Sequence, residues 1–161
     1  MKITVITVGK IKEKFFENAI KEYAKRLSKY CQLNFVEVSD EKAPETLSDK
    51  EMLQIMDKEG DRILGKIKDS QYVITLEILG KQLTSEGLAD KMSALGLEGN
   101  SDVVFIIGGS LGLSDKVIKR SNFALSFSKM TFPHQLMKVV LLEQIYRGFR
   151  IIRGEPYRSL F

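Results

Sequence analysis

Two stretches of this chain hold residues that chemistry can use. The first is Gly108-Gly109-Ser110-Leu111-Gly112, which follows the apolar run Val103-Val104-Phe105-Ile106-Ile107 without a break. Glycines leave backbone N–H and C=O groups open to close approach. A buried strand running into a glycine turn and then a helix is where open α/β sheets place small ligands, beyond the carboxyl ends of the strands. Taken alone, the segment reads equally well as a plain tight turn. The second stretch is Leu125 to Gln135, whose hydroxyls, lysine and lone histidine (His134) precede a long apolar run. Beyond it Arg147, Arg150, Arg153, Tyr157 and Arg158 make the carboxyl end basic and aromatic.

Charge points the same way. The net charge of the 161 residues is +4, and after Ser128 six Lys or Arg stand against two Asp or Glu, so the whole excess falls in the last fifth. That is the footprint of a protein meeting a polyanion; a solvated helix face explains it nearly as well.

Several chemistries are disfavoured. One His and one Cys cannot supply a usual zinc site, and no dense acidic cluster is present, so no metal is expected. There is no Gly-x-Ser-x-Gly elbow for a serine hydrolase. The glycine spacing differs from the dinucleotide fingerprint Gly-x-Gly-x-x-Gly, it follows the fourth predicted strand instead of the first, and no Gly-Lys-Ser/Thr phosphate loop occurs. Val8-Gly9-Lys10-Ile11 stands where a receiver-type regulator carries acids and a flavodoxin carries Ser and Thr. Cys31 alone excludes an internal disulfide and suits a reducing cytoplasm, as a buried structural thiol. No apolar run reaches a membrane span, and Met1 to Val8 alternates like a strand, not like a secretory leader.

The elements that must position these residues alternate strand with helix. Strands are predicted over Lys2–Val8, Leu33–Val38, Tyr72–Ile78 (ended by Gly80), Val103–Ile107 and Phe123–Phe127. Glu13 to Tyr30 is an amphipathic helix with Phe16, Ile20, Tyr23, Leu27 and Tyr30 on one face. Ser48-Asp49-Lys50-Glu51 has the spacing of a capping box and opens a helix to about Ile67. Thr84 or Ser85 caps a short helix with Leu88, Met92 and Leu95 inward, and Ser114 offers an acceptor before Asp115. Pro133, as a first helical residue, starts the last helix, which runs to about Arg153. The pattern predicts an α/β fold with a mainly parallel sheet flanked by helices, in a single domain over residues 1–161. The last helix is apolar nearly all round, so one face is expected on the sheet and the other on a second copy of the chain.

The ordered set Thr75-Leu76, Ile107-Gly108-Gly109, Leu125-Ser126, Phe132-Pro133-His134 and Tyr146-Arg147 resembles the SPOUT methyltransferases. Within that class it is most similar to the small bacterial enzymes that methylate N3 of pseudouridine 1915 in helix 69 of 23S ribosomal RNA. The similarity spans essentially the whole chain, from Ile6-Thr7-Val8-Gly9-Lys10 to Pro156-Tyr157. It implies a carboxyl-terminal trefoil knot, which folding rules alone argue against. It also implies an obligate homodimer, and recognition of helix 69 in the assembled ribosome. The implied cofactor is S-adenosylmethionine, held by Leu76, Gly108, Gly109, Phe127, Ser128, Lys129, Met130, Thr131 and Phe132. Gly108, lacking a side chain, would leave room for the adenosine. His134 is a candidate to accept the imide proton, and Arg147 or Arg158 to favour the resulting anion. Arg147, Arg150, Arg153, Tyr157 and Arg158 are candidate RNA contacts. One departure stands out: the family commonly ends in Tyr-His, whereas this chain reads Tyr157-Arg158. The alternatives are a SPOUT enzyme for another rRNA or tRNA base, and a non-catalytic dimeric module that binds a nucleotide or the ribosome.

Overall fold

The computed structural model describes residues 1–157. Along it run β1 (Lys2–Val8), α1 (Lys14–Leu27), β2 (Gln32–Val38), α2 (Asp49–Leu64) and β3 (Tyr72–Gln82), followed by α3 (Ser85–Leu97), β4 (Asp102–Ile107), α4 (Asp115–Arg120), β5 (Phe123–Ser126) and α5 (His134–Ile152). The strands form a parallel sheet in the order β2-β1-β4-β3-β5. β4 lies at its centre, which is why its sequence is apolar without alternation: both faces are covered. Val103, Phe105 and Ile107 point into a core shared with α1, α3 and α5, while Val104 and Ile106 point into a second core with α2 and α4.

The helix ends follow local chemistry. Ser48 and Glu51 form the reciprocal capping box at α2, and Thr84 accepts the Gly87 N–H at the start of α3. Ser114 stands at the N-cap of α4, but its hydroxyl makes no capping bond; it is buried without a partner against α2. Pro133 is the N-cap of α5, so His134 becomes the first helical residue.

One expectation is corrected. Gly80 does not end β3. The strand continues to Gln82, with a register shift against β5 between Leu76 and Lys81. Gly80 is needed there because a Cβ would come within 2.8 Å of the Ala124 carbonyl carbon and oxygen. On α5 much of the apolar surface is covered by α1 and α3, while Leu136 and Ile152 stay exposed. Leu141, Leu142 and Ile145 are fully buried, each worth about 1.5–3 kcal/mol relative to exposure.

Candidate functional site

The carboxyl ends of β3, β4 and β5 open into a cavity of about 640 Å³. Three segments line it: Leu76 to Ile78 of β3, Ile107 with the turn 108–113, and Leu125 with most residues from Phe127 to Met137. Parallel strands place their carboxyl ends together, so loops far apart in sequence converge at one edge.

The glycine turn is built by folding back on itself. Gly112 has a φ of +87°, a region in which side chains are strained, and its N–H donates to the Gly109 carbonyl at 3.1 Å. A Cβ at Gly108 would stand 2.9 Å from Leu113 Cδ2 and 3.1 Å from the Gly112 carbonyl carbon, closer than carbon atoms pack. The returning limb of the turn thus requires glycine at 108 in its own right, independently of any ligand. Behind the turn the buried Glu59 of α2 accepts the Glu41 N–H at 3.0 Å. Burial pushes its carboxyl above the usual range.

The third segment is held by hydroxyls. Ser126 Oγ lies 2.9 Å from the Ile78 carbonyl and 3.1 Å from that of Ser128, and Ser128 Oγ accepts the Met130 N–H at 3.0 Å. These contacts tie the loop to β3 and turn Phe127, Ser128, Met130, Thr131 and Phe132 toward the cavity. No side chain caps α5.

The lining chemistry decides what kind of molecule fits. Most of the wall is apolar, the hydroxyls come from Ser110, Ser128 and Thr131, and Glu77 is its one carboxylate. Among the described residues neither Lys nor Arg lines the cavity, so a polyphosphate finds no counter-charge. A nucleoside bearing a positive charge suits these groups.

The family model described as "Predicted SPOUT methyltransferase" matches residues 1–158. The chain belongs to the SPOUT methyltransferase family. The family's cofactor is S-adenosylmethionine, which the cavity fits in size and charge. The chain is 60% identical over 159 residues to "Ribosomal RNA large subunit methyltransferase H" of Clostridium botulinum (strain Alaska E43 / Type E3), covering 99% of this chain and all of the relative. Identity to the protein of the same description from Enterococcus faecalis (strain ATCC 700802 / V583) is 59%, with the same coverage. Among solved structures, a probable methylase family protein from Haemophilus influenzae Rd KW20 has the same fold, with a TM-score of 0.56 at 10% identity over 98% of this chain and 72% of that one.

Of the residues singled out for the SPOUT cofactor, Leu76, Gly108, Gly109, Phe127, Ser128, Met130, Thr131 and Phe132 line the cavity, as does His134; Lys129 does not. The basic residues of α5 lie elsewhere. Arg147 Nε pairs with Glu143 Oε2 at 3.1 Å and its guanidinium stands 5.7 Å from the Tyr157 ring. The Tyr157 hydroxyl donates to Glu86 at 2.6 Å. Arg150 donates to the Pro156 carbonyl (3.2 and 2.6 Å) and to the Tyr146 hydroxyl (3.1 Å), fastening the chain after α5. Arg153 lies 4.6 Å from the Tyr30 ring. Arg158 is outside the described residues.

A helix rises 1.5 Å per residue, so thirteen residues put His134 and Arg147 about 20 Å apart along α5. One protomer does not bring them together. Residues missed as site components include Ser110 and Met137. Met137 was within reach, because it lies one turn from His134 on the same helix face.

Proposed function

We propose that this SPOUT enzyme transfers a methyl group from S-adenosylmethionine to N3 of pseudouridine 1915 in helix 69 of 23S ribosomal RNA. The observation that carries the reading is the convergence of the three segments, Leu76 to Ile78, Gly108 to Leu113 and Phe127 to Met137, on one cavity. It is supported by full-length similarity to relatives described as large-subunit rRNA methyltransferases. We take residues 1–161 as one SPOUT domain with a carboxyl-terminal trefoil knot, acting in the cytoplasm. Among the described residues no helix is long and apolar enough to cross a membrane.

Leu76, Gly108, Gly109 and the 127–132 loop hold the cofactor in this reading. Lys129 has no place in the wall and serves at most from outside. When bound, the cofactor supplies an electrophilic methyl group on a sulfonium. The chain's part is to align that group with the imide nitrogen, which can contribute about 7–11 kcal/mol through positioning. A ring nitrogen of His134 accepts the N3 proton, and an arginine, Arg147 or Arg158, favours the anion. With Arg147 in that role, the distance along α5 makes the arrangement require two subunits, each presenting one end of the helix. Met130, Phe132 and Leu136 are exposed beside the cavity, a surface suited to such a homodimer. Tyr157 and the arginines Arg147, Arg150 and Arg153 then meet RNA. Of these, Arg150 has the least freedom, being committed to Pro156 and Tyr146.

The test is incorporation of tritiated methyl into intact ribosomes and into naked rRNA, followed by mass mapping. Label at N3 of the helix 69 pseudouridine, in ribosomes only, is expected. Label at another base would overturn the substrate assignment. No label in any RNA, with no cofactor binding by calorimetry, would leave a non-catalytic module.

A further inference from the structure

Glu77 is the only acidic side chain among the described residues that line the cavity, and no Lys or Arg lining residue balances it. Its position is fixed. Thr75, fully buried on β3, donates its hydroxyl to Glu77 Oε2 at 2.5 Å and stands 2.8 Å from Ser121 Oγ, just after α4. Residues two apart on a strand share a face. Thr75 pairs with Ile106, which points into the core with α2 and α4. The carboxylate is therefore anchored on the α4 side of the cavity. The rest of the wall is mainly apolar, with Leu76, Ile107, Leu125 and Phe127 coming from the other face of the sheet, on the side of α1, α3 and α5. Charges interact more strongly across such a wall than through water.

The methyl donor and its product differ at one atom. In S-adenosylmethionine the sulfur is a cation. When the methyl leaves, the bonding pair stays on sulfur and the product is a neutral thioether. The two molecules otherwise carry the same ammonium, carboxylate and nucleoside. We infer that Glu77 is a specificity-determining residue: its carboxylate favours the cationic donor over the thioether product, so the attraction that helps to load the site disappears once the methyl has gone. This rests on the cofactor site proposed above. Thr75 acts through Glu77 and is a positioning residue.

The experiment is calorimetric titration of the full-length protein with S-adenosylmethionine and with S-adenosylhomocysteine, for wild type, Glu77→Gln and Glu77→Asp. Glu77→Gln is expected to lower the preference for donor over product by about fivefold or more. Its product affinity should stay within about twofold of wild type, and Glu77→Asp should recover most of the preference. Equal weakening of both ligands in Glu77→Gln would show that the residue only packs, and an unchanged ratio would show that its charge is not felt; either overturns the inference while leaving the cofactor site standing. Failure of the wild type to bind either ligand would overturn the site and the inference together. Should Glu77→Gln unfold, Glu77→Asp and Thr75→Val carry the test. Thr75→Val, which removes the hydroxyl that fixes the carboxylate, is then expected to lower the preference, and an unchanged ratio in it would also refute the inference.

Discussion

Gly108→Ala separates two explanations of the glycine turn. The added Cβ would meet Leu113 Cδ2 at 2.9 Å, Leu113 Cγ at 3.2 Å and the Gly112 carbonyl carbon at 3.1 Å. Carbon atoms prefer about 3.5–4.0 Å, so the turn must open by several tenths of an ångström. Leu113 is buried in the core with α2 and α4 and cannot swing clear. Overpacking of this kind costs about 1–3 kcal/mol. For a chain of this length that lowers Tm by roughly 3–9 °C. If the turn gives way at the Gly109–Gly112 contact, cofactor affinity falls by about tenfold or more.

The decisive measurement is a double-mutant cycle with Leu113→Ala, read by thermal unfolding and by calorimetry with S-adenosylmethionine. Leu113→Ala alone costs about 2–5 kcal/mol through the cavity it leaves, but it removes the atoms nearest the new Cβ. The double variant should therefore be more stable than the sum of the single losses predicts, by about 1 kcal/mol, and should bind the cofactor better than that sum predicts. Strict additivity in both readouts would refute the reasoning. It would mean that the methyl group projects toward the ligand and not against the Leu113 side chain.

Three further outcomes are expected. Arg147→Ala should slow methyl transfer to ribosomes by roughly tenfold or more while changing cofactor affinity by less than about twofold, because Arg147 does not line the cavity; equal losses in both would contradict this. Gly80→Ala should lower Tm by about 5–10 °C, since its Cβ would strike the backbone of Ala124, which cannot rotate away; a wild-type melting curve would refute it. Lys138, buried on α5 with Nζ 4.5 Å from the Phe35 ring, has its ammonium pulled below the usual lysine range by burial, partly restored by Glu37. With a lowered folded pKa the unfolded chain binds more protons, so stability gains with pH up to the ordinary value of 10.5 and is lost as pH falls. Lys138→Met should flatten that dependence, as seen in urea midpoints between about pH 7 and pH 10.

Much of the fold could be read in advance because its signals are local. The apolar run before Gly108, the capping box at Ser48 and the one-sided face of α1 each state a neighbour relationship within a few residues. The continuation of β3 past Gly80 could not be read this way. Its cause is the approach of the Ala124 backbone more than forty residues on, across a register shift that no alternation of side chains announces. The same holds for Ser114, whose hydroxyl was expected to cap and is instead buried against α2. The glycine turn after β4 is marked by its own sequence, whereas Leu76 and the 127–132 loop are named through the resemblance to the SPOUT family. Glu77 falls within the first of the three segments that resemble the SPOUT ligand loops, but no role for its charge could be read there, since only the assembled wall reveals that it is the sole carboxylate among the described lining residues.

The last helix shows what an apolar pattern states and what it leaves open. Apolar width states how much surface must be covered, not which chain covers it. In this fold α1 and α3 pack on α5 and cover Leu141, Leu142, Ile145 and Phe149, while Leu136 and Ile152 stay exposed. The case for a second copy has to come from elsewhere, and the length of α5 provides it. His134 stands at the cavity, whereas Arg147, about 20 Å farther along the axis, reaches Glu143 and Tyr157. A proton acceptor and an anion-stabilising cation cannot serve one imide across that distance. Either only one of them takes part, or the cation comes from the opposite end of a partner's helix. Mixed dimers of His134→Ala and Arg147→Ala subunits distinguish these cases. Two subunits that are each inactive should regain about half the wild-type activity per mixed dimer if the residues act across the interface, because one of the two composite sites is then intact. They should regain none if both residues serve the same protomer's site.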